Sequence, residues 1–138
     1  MKILFLGDIV GKSGCKVVEN HLFEIIEKDR INFVIANGEN SADQGVGITK
    51  EIVNFLISKG VDVITTGNHV WDQKETLSFI EDEERLLRPE NLISPSPGKG
   101  FNIYNKDNLR IGVLNLMGNV FMKKCNDVFE ASTSFLKK

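Results

Sequence analysis

Cysteine is nearly missing from this chain. Cys15 and Cys125 are the only two, they stand far apart, and no C-x-x-C or secretory context accompanies them. Reduced thiols are therefore expected in place of a disulfide framework or a thiolate zinc site. A basic excess is also missing: 17 Lys and Arg against 19 Asp and Glu leave a net charge of -2, which excludes the electrostatic footprint that holds long nucleic acids. No apolar run approaches the roughly 18 residues of a membrane span, and the Lys2-to-Leu6 opening is too short for a signal peptide and is interrupted by Asp8. These absences lead to the expectation of a cytoplasmic protein with no membrane partner. Histidine is scarce as well, with His21 and His69 the only two. With 138 residues, 41% hydrophobic and 26% charged, the remaining composition suits one soluble globular domain over residues 1–138.

The pattern of apolar residues alternates between strand and helix. Ile3-Leu4-Phe5-Leu6, Phe33-Val34-Ile35-Ala36 and Val61 to Thr66 read as hydrophobic strands. Between them, Lys16 to Lys28 carries Val17, Val18, His21, Leu22, Ile25 and Ile26 at amphipathic helical spacing. Thr49 to Lys59 predicts a second helix ended by Gly60. A third helix is expected after Asp72, because Asp72 with Glu75 three residues later forms a capping-box pattern. Pro89, Pro95, Pro97, Gly98 and Gly100 mark a loop, and Phe101 to Tyr104 with Arg110 to Leu116 predict a hairpin around Asn105-Lys106-Asp107-Asn108. The last residues, Phe135 to Lys138, read as a helix. The fold class is α/β, with a mainly parallel sheet flanked by helices and a late hairpin.

Each of the three strands runs out into polar side chains: Gly7-Asp8, Asn37-Gly38-Glu39-Asn40 and Gly67-Asn68-His69. In a parallel α/β sheet the carboxyl ends of the strands share the edge where ligands bind. Asp8, Glu39, Asn40, Asn68 and His69 are thus expected to converge. Two divalent ions about 3.5 to 4 Å apart can clamp a phosphoryl group, given a bridging carboxylate, further oxygen ligands and a nearby acid. Carboxylate, amide and imidazole donors suit Mn, Fe or Mg. His69 is placed to protonate a leaving oxygen.

Taken singly, several of these residues have plainer readings. Asp8 and Asn40 read equally well as helix caps, and a Gly-Asn pair at a strand end is commonly a turn. His21 lies in the apolar stripe of its helix and is read as packing or surface; Trp71 is read as a core or lid aromatic. Gly7 to Ser13 looks like a phosphate-binding P-loop, but three residues separate its glycines where that loop has four. Asp8 and two β-branched residues would also make a poor phosphate nest. The convergence of three strand ends is what favours a metal site.

In order along the chain, Gly7-Asp8-Ile9-Val10-Gly11, Asn37-Gly38-Glu39-Asn40, Gly45-Val46-Gly47-Ile48-Thr49, Thr66-Gly67-Asn68-His69-Val70-Trp71-Asp72, Arg88-Pro89-Glu90-Asn91 and Asn115-Leu116-Met117-Gly118 resemble the amino-terminal half of the YmdB-like bacterial metallophosphoesterases, in the calcineurin-like superfamily. The resemblance implies the first half of an α/β/β/α fold. It also implies phosphodiesterase activity on 2′,3′-cyclic nucleotides or related small phosphoesters, with two divalent metal ions, Fe or Mn, with Mg as the other candidate. By the same resemblance Asp8 binds the first metal, Glu39 bridges both, Asn40 and Asn68 bind the second, and His69 is the proton donor. The chain departs from the family in having Cys15 and Asn119 where Arg is usual, and it has no histidine after His69 to match the family's later ligands. The expectation is an incomplete domain, truncated or split, with at most one weak metal site and weak or no activity. The alternative is a non-catalytic phosphate- or nucleotide-binding module completed by another polypeptide. Homo-oligomer formation is left open.

Overall fold

The structure, a computed structural model, describes residues 1–137. Four parallel strands form the central sheet in the order β1 (Ile3–Leu6), β2 (Phe33–Asn37), β3 (Val63–Thr65), β4 (Leu86–Leu87). The register aligns Leu6 with Ala36, Asn37 with Thr65, and Thr65 with Leu87. All four strands therefore end along one edge. The helices α1 (Gly11–Asp29), α2 (Lys50–Ser58) and α3 (Thr76–Phe79) connect successive strands.

Alternation along the strands separates two cores. Val34, Ala36, Ile64 and Leu86 pack with Val18 and Leu22 of α1, Val53 and Leu56 of α2, and Phe79 of α3. Phe33, Val63 and Leu87 face the other way, onto Ile111 and Val113 of the antiparallel hairpin β5 (Phe101–Lys106) and β6 (Leu109–Leu114). The period of two in side-chain direction is what lets one sheet bury both faces. The last helix, α4 (Val128–Leu136), touches the hairpin from outside, with the Phe101 and Phe135 rings 4.5 Å apart. Helices, sheet, hairpin and helix give the α/β/β/α layering expected from the family resemblance.

Several local expectations are corrected. Helix α1 begins at Gly11 rather than Lys16. Its first turn, Gly-Lys-Ser-Gly-Cys, carries no apolar periodicity to reveal it, and Gly11 takes a left-handed φ of 54° that glycine adopts without strain. Val17 and His21 lie on the exposed side of α1, not in its stripe. The capping box does not form: α3 is only four residues long, and its N-cap Glu75 makes no side-chain cap bond. Glu75 instead accepts from the Lys50 amide at 3.1 Å, at the start of α2. Strand β4 was not expected from sequence, because two buried leucines leave no period to read. The hairpin turn closes tightly at Asp107-Asn108, and the helix expected over Phe135 to Lys138 takes in Phe135 and Leu136 with Lys137 as its C-cap, Lys138 lying outside the described residues. Gly60, with φ 104°, ends α2 as expected, and Trp71 packs against the larger core. Both cysteines are free.

Candidate functional site

Neither Asp8 nor Asn40 caps a helix. The N-cap of α1 is Val10, with no side-chain bond, and that of α2 is Thr49, whose hydroxyl accepts from the Ile52 amide. The carboxylate and amide are thereby left for each other: Asn40 Nδ2 donates to Asp8 Oδ1 at 2.8 Å. Backbone bonds fix the two loops, with Ile9 N donating to Asn37 O at 3.0 Å and Gly11 N donating to Asn40 O at 2.9 Å. Asn40 Oδ1 is buried and has no donor. An unpartnered buried acceptor beside a carboxylate is costly for the apo protein and is what a cation would satisfy.

Glu39 is held from the third strand. The His69 amide donates to Glu39 Oε2 at 3.1 Å. A Cβ built on Gly67 would lie 2.5 Å from both Glu39 carboxylate oxygens, so glycine is required there for Glu39 to sit where it does. Glu39 and Asn68 line one cavity of about 390 Å³ together with Asn37, Thr66, Asn115 and Met122. The five residues singled out from sequence thus group along the carboxyl edge, in two contacts and one shared cavity: Asp8 with Asn40, Glu39 with His69, and Glu39 with Asn68.

Three further residues belong to this arrangement and escaped the sequence reading. Asp72 Oδ2 lies 2.6 Å from His69 Nδ1; its spacing to Glu75 disguised it as a cap. Asn37 Oδ1 is a second buried acceptor without a donor, and its place in the Asn37-Gly38-Glu39-Asn40 run was the available signal. Asn115, at the end of β6, donates both amide hydrogens inward, to Thr66 O at 2.8 Å and Leu87 O at 2.9 Å. No local pattern ties residue 115 to residue 66, so only the fold could reveal this link.

Metal fit follows from the donor set. Among the described residues no group of three or more His, Cys, Asp and Glu gathers, so a cation here would rely on two carboxylates and amide oxygens. Such hard donors fit Mg or Mn better than a metal that prefers thiolates. A larger cleft, about 560 Å³, opens between α1 and α2 at Lys12, Cys15, Glu51 and Phe55. Its charges are partly spent, with Lys12 on Asp43 at 3.0 Å and Glu19 on Lys59 at 2.8 Å. Burial, and then the nearby Asp43 charge, push the Cys15 thiol above its usual range, which makes it a poor nucleophile.

The α/β/β/α layering, with carboxylate, amide and imidazole groups at the carboxyl edge of its parallel sheet, is a fold this chain shares with solved proteins. The chain belongs to the YmdB-like protein family, whose profile matches residues 4–138. A 2′,3′-cyclic-nucleotide 2′-phosphodiesterase of Bacillus subtilis (strain 168) is 41% identical over 129 residues, covering 94% of this chain and 48% of that protein. The crystal structure of a hypothetical protein from Thermus thermophilus superposes with a TM-score of 0.91 at 37% identity, over 100% of this chain and 53% of that one. A novel phosphatase from Mycoplasma pneumoniae does so with a TM-score of 0.91 at 32% identity, over 100% and 51%. The chain therefore spans about half the length of the relatives it matches. Among the described residues no helix is long and apolar enough to cross a membrane.

Proposed function

We propose that this chain carries the metal-binding and proton-donating half of a metal-dependent phosphodiesterase acting on 2′,3′-cyclic nucleotides or related small phosphoesters. The observation that carries this reading is the buried, donorless Asn40 Oδ1 beside Asp8, on the same sheet edge as the Glu39 and His69 pair. Asp8, Glu39, Asn40 and Asn68 would hold the divalent ion or ions, Mn or Fe in preference to thiolate-seeking metals. When bound, such ions polarise the phosphoryl oxygens and offset their developing charge. His69 does the proton work. With Nδ1–H donated to Asp72, His69 acts as the imidazolium: its second proton, on Nε2, passes to the departing ester oxygen as the P–O bond to that oxygen breaks, and the ring is then reprotonated from solvent. Water supplies the new P–O bond and releases a proton. Asp72 acts through His69, holding the ring and its tautomer.

Two charged ligands and amides alone hold a divalent ion weakly, because imidazole ligands and their supporting hydrogen bonds are lacking. Calorimetry with Mn is expected to show at most one weak site on this chain. The functional test compares Mn-dependent hydrolysis of 2′,3′-cyclic AMP by a complete, active form that contains this chain, and by its His69→Ala and Glu39→Ala variants. His69→Ala is expected to lose about 10² to 10⁴ in turnover with Mn binding retained, and Glu39→Ala to lose both. Mn binding that is indifferent to Glu39→Ala would overturn the proposal.

A further inference from the structure

The loop after β6 is stapled at its base and bare at its tip. Asn91, itself buried, donates from Nδ2 to Met117 O at 2.7 Å and to Asn126 O at 2.8 Å, and its Oδ1 accepts from the Met117 amide at 2.9 Å. Asn119 closes the same loop from within: its Oδ1 accepts from the Cys125 amide at 2.8 Å and its Nδ2 donates to Cys125 O at 3.1 Å. Compact loops closed at the neck in this way are frequently functional. Between the staples, a turn closed by Met122 N donating to Asn119 O at 3.4 Å carries Val120 76% exposed, Met122 46% exposed and Phe121 fully exposed. Phe121 takes a left-handed φ of 58°, a conformation that costs a bulky aromatic residue free energy and that clusters at ligand clamps. Neither burial nor backbone preference accounts for an aromatic ring held out in water.

We propose that Phe121 is the platform on which the nucleobase of the substrate stacks, with Val120 and Met122 packing beside it; this rests on the phosphodiesterase reading above. Val120 and Met122 line the same cavity of about 390 Å³ as Glu39 and Asn68, so Phe121 stands between them at its mouth. The lining is of two kinds, polar at Glu39, Asn68 and Asn37 and apolar at Val120, Met122 and Leu116. A cyclic nucleotide has the same two parts, an anionic phosphoester and a flat base with apolar faces. With the phosphoester drawn to the metal-ligating side chains, the base is left to the apolar lining and to the ring at the mouth. Every base has a π face, so such stacking favours nucleotides over base-free esters and chooses only weakly among bases. The polarisable Met122 thioether adds a favourable sulfur contact to a ring edge. The stapled neck fixes the platform before the substrate arrives, which lowers the ordering cost of binding.

The test uses a complete, active form that contains this chain, with 2′,3′-cyclic AMP and the base-free methyl riboside 2,3-cyclic phosphate as substrates. The parent is expected to have a KM at least about ten-fold lower for the nucleotide. Phe121→Ala is expected to erase that preference, raising KM for 2′,3′-cyclic AMP by about ten-fold, with kcat and the riboside KM within about two-fold of the parent. Phe121→Trp is expected to restore the preference. An effect of Phe121→Ala that is equal on both substrates, or one that Trp does not rescue, overturns the proposal, because the ring then serves packing against the rest of the longer form or against a second copy. A second arm requires no turnover: adenosine at millimolar concentration is titrated into the 138-residue chain. The Phe121 ring proton resonances are expected to move upfield, while those of Phe23, exposed on α1, stay in place. An unmoved Phe121, or equal movement of Phe23, also overturns the proposal. If no form hydrolyses 2′,3′-cyclic AMP, the phosphodiesterase reading fails, and the adenosine titration still decides whether a base stacks on Phe121.

Discussion

His69 Nδ1 and Asp72 Oδ2 stand 2.6 Å apart, an i, i+3 pair on the turn that follows β3. Both side chains are about one third exposed, at 34% and 35%, so the contact orients the ring more than it stabilises the fold. A carboxylate accepting at one ring nitrogen sets the tautomer of a neutral imidazole. We expect ¹⁵N NMR of the chain above the histidine titration range to show His69 protonated at Nδ1, and Asp72→Ala to move population to the Nε2–H form. His21, exposed on α1, serves as the internal reference. An unchanged His69 tautomer in Asp72→Ala would remove Asp72 from the site.

Gly67 is predicted to be irreplaceable for metal binding although it contributes no ligand. Any Cβ there meets the Glu39 carboxylate at 2.5 Å, closer than packed atoms tolerate, so Glu39 must swing away. Gly67→Ala should abolish Mn binding in calorimetry as Glu39→Ala does, while the far-ultraviolet circular dichroism stays that of the parent. Gly7, whose added Cβ would meet nothing within 4 Å, supplies the control: Gly7→Ala is expected to bind Mn normally.

Asn115 ties the hairpin to the ends of β3 and β4. Asn115→Ala removes two buried bonds, at 2.8 and 2.9 Å. It also leaves one carbonyl short, because Leu87 O still accepts from Thr66 whereas Thr66 O is abandoned. Urea unfolding is expected to show a loss of about 2 to 3 kcal/mol. Asn119→Ala, removing bonds confined to its own loop with Cys125 at 2.8 and 3.1 Å, is expected to cost less.

Alkaline stability should follow Tyr104. Burial first, and then the Glu84 and Glu83 charges, push its phenol from 10.0 up to about 12, and its hydroxyl donates to Glu84 O at 2.7 Å. The folded state therefore keeps a proton that the unfolded chain releases. For such a raised group the contribution to stability is complete below pH 10 and is lost as pH climbs from about 10 to about 12. Denaturation midpoints measured across that window are expected to fall for the parent chain, and to fall less steeply for Tyr104→Phe. Parallel curves for the two proteins would count against the burial argument.

Sequence by itself determined the elements whose physics is local. The strand runs ending at Leu6 and Ala36, the stripe of Val18 and Leu22, the glycine stop at Gly60 and the polar residues beyond each strand could all be read, because periodicity and backbone preference act over a few neighbours. Parallel alignment of strand ends then brought Asp8, Glu39, Asn40, Asn68 and His69 to one edge, as the geometry of an open parallel sheet requires. Tertiary structure decided what each polar group does there. Asp72 and Glu75 have the spacing of a capping box, yet His69 and Lys50 claim them, since a carboxylate goes to the strongest donor the fold brings near. Asn115 reaches Thr66, and Val120 and Met122 reach the cavity of Glu39 and Asn68, only because the hairpin packs across the sheet. Those contacts join residues remote in the chain, and no pattern of near neighbours encodes a distance that packing alone sets.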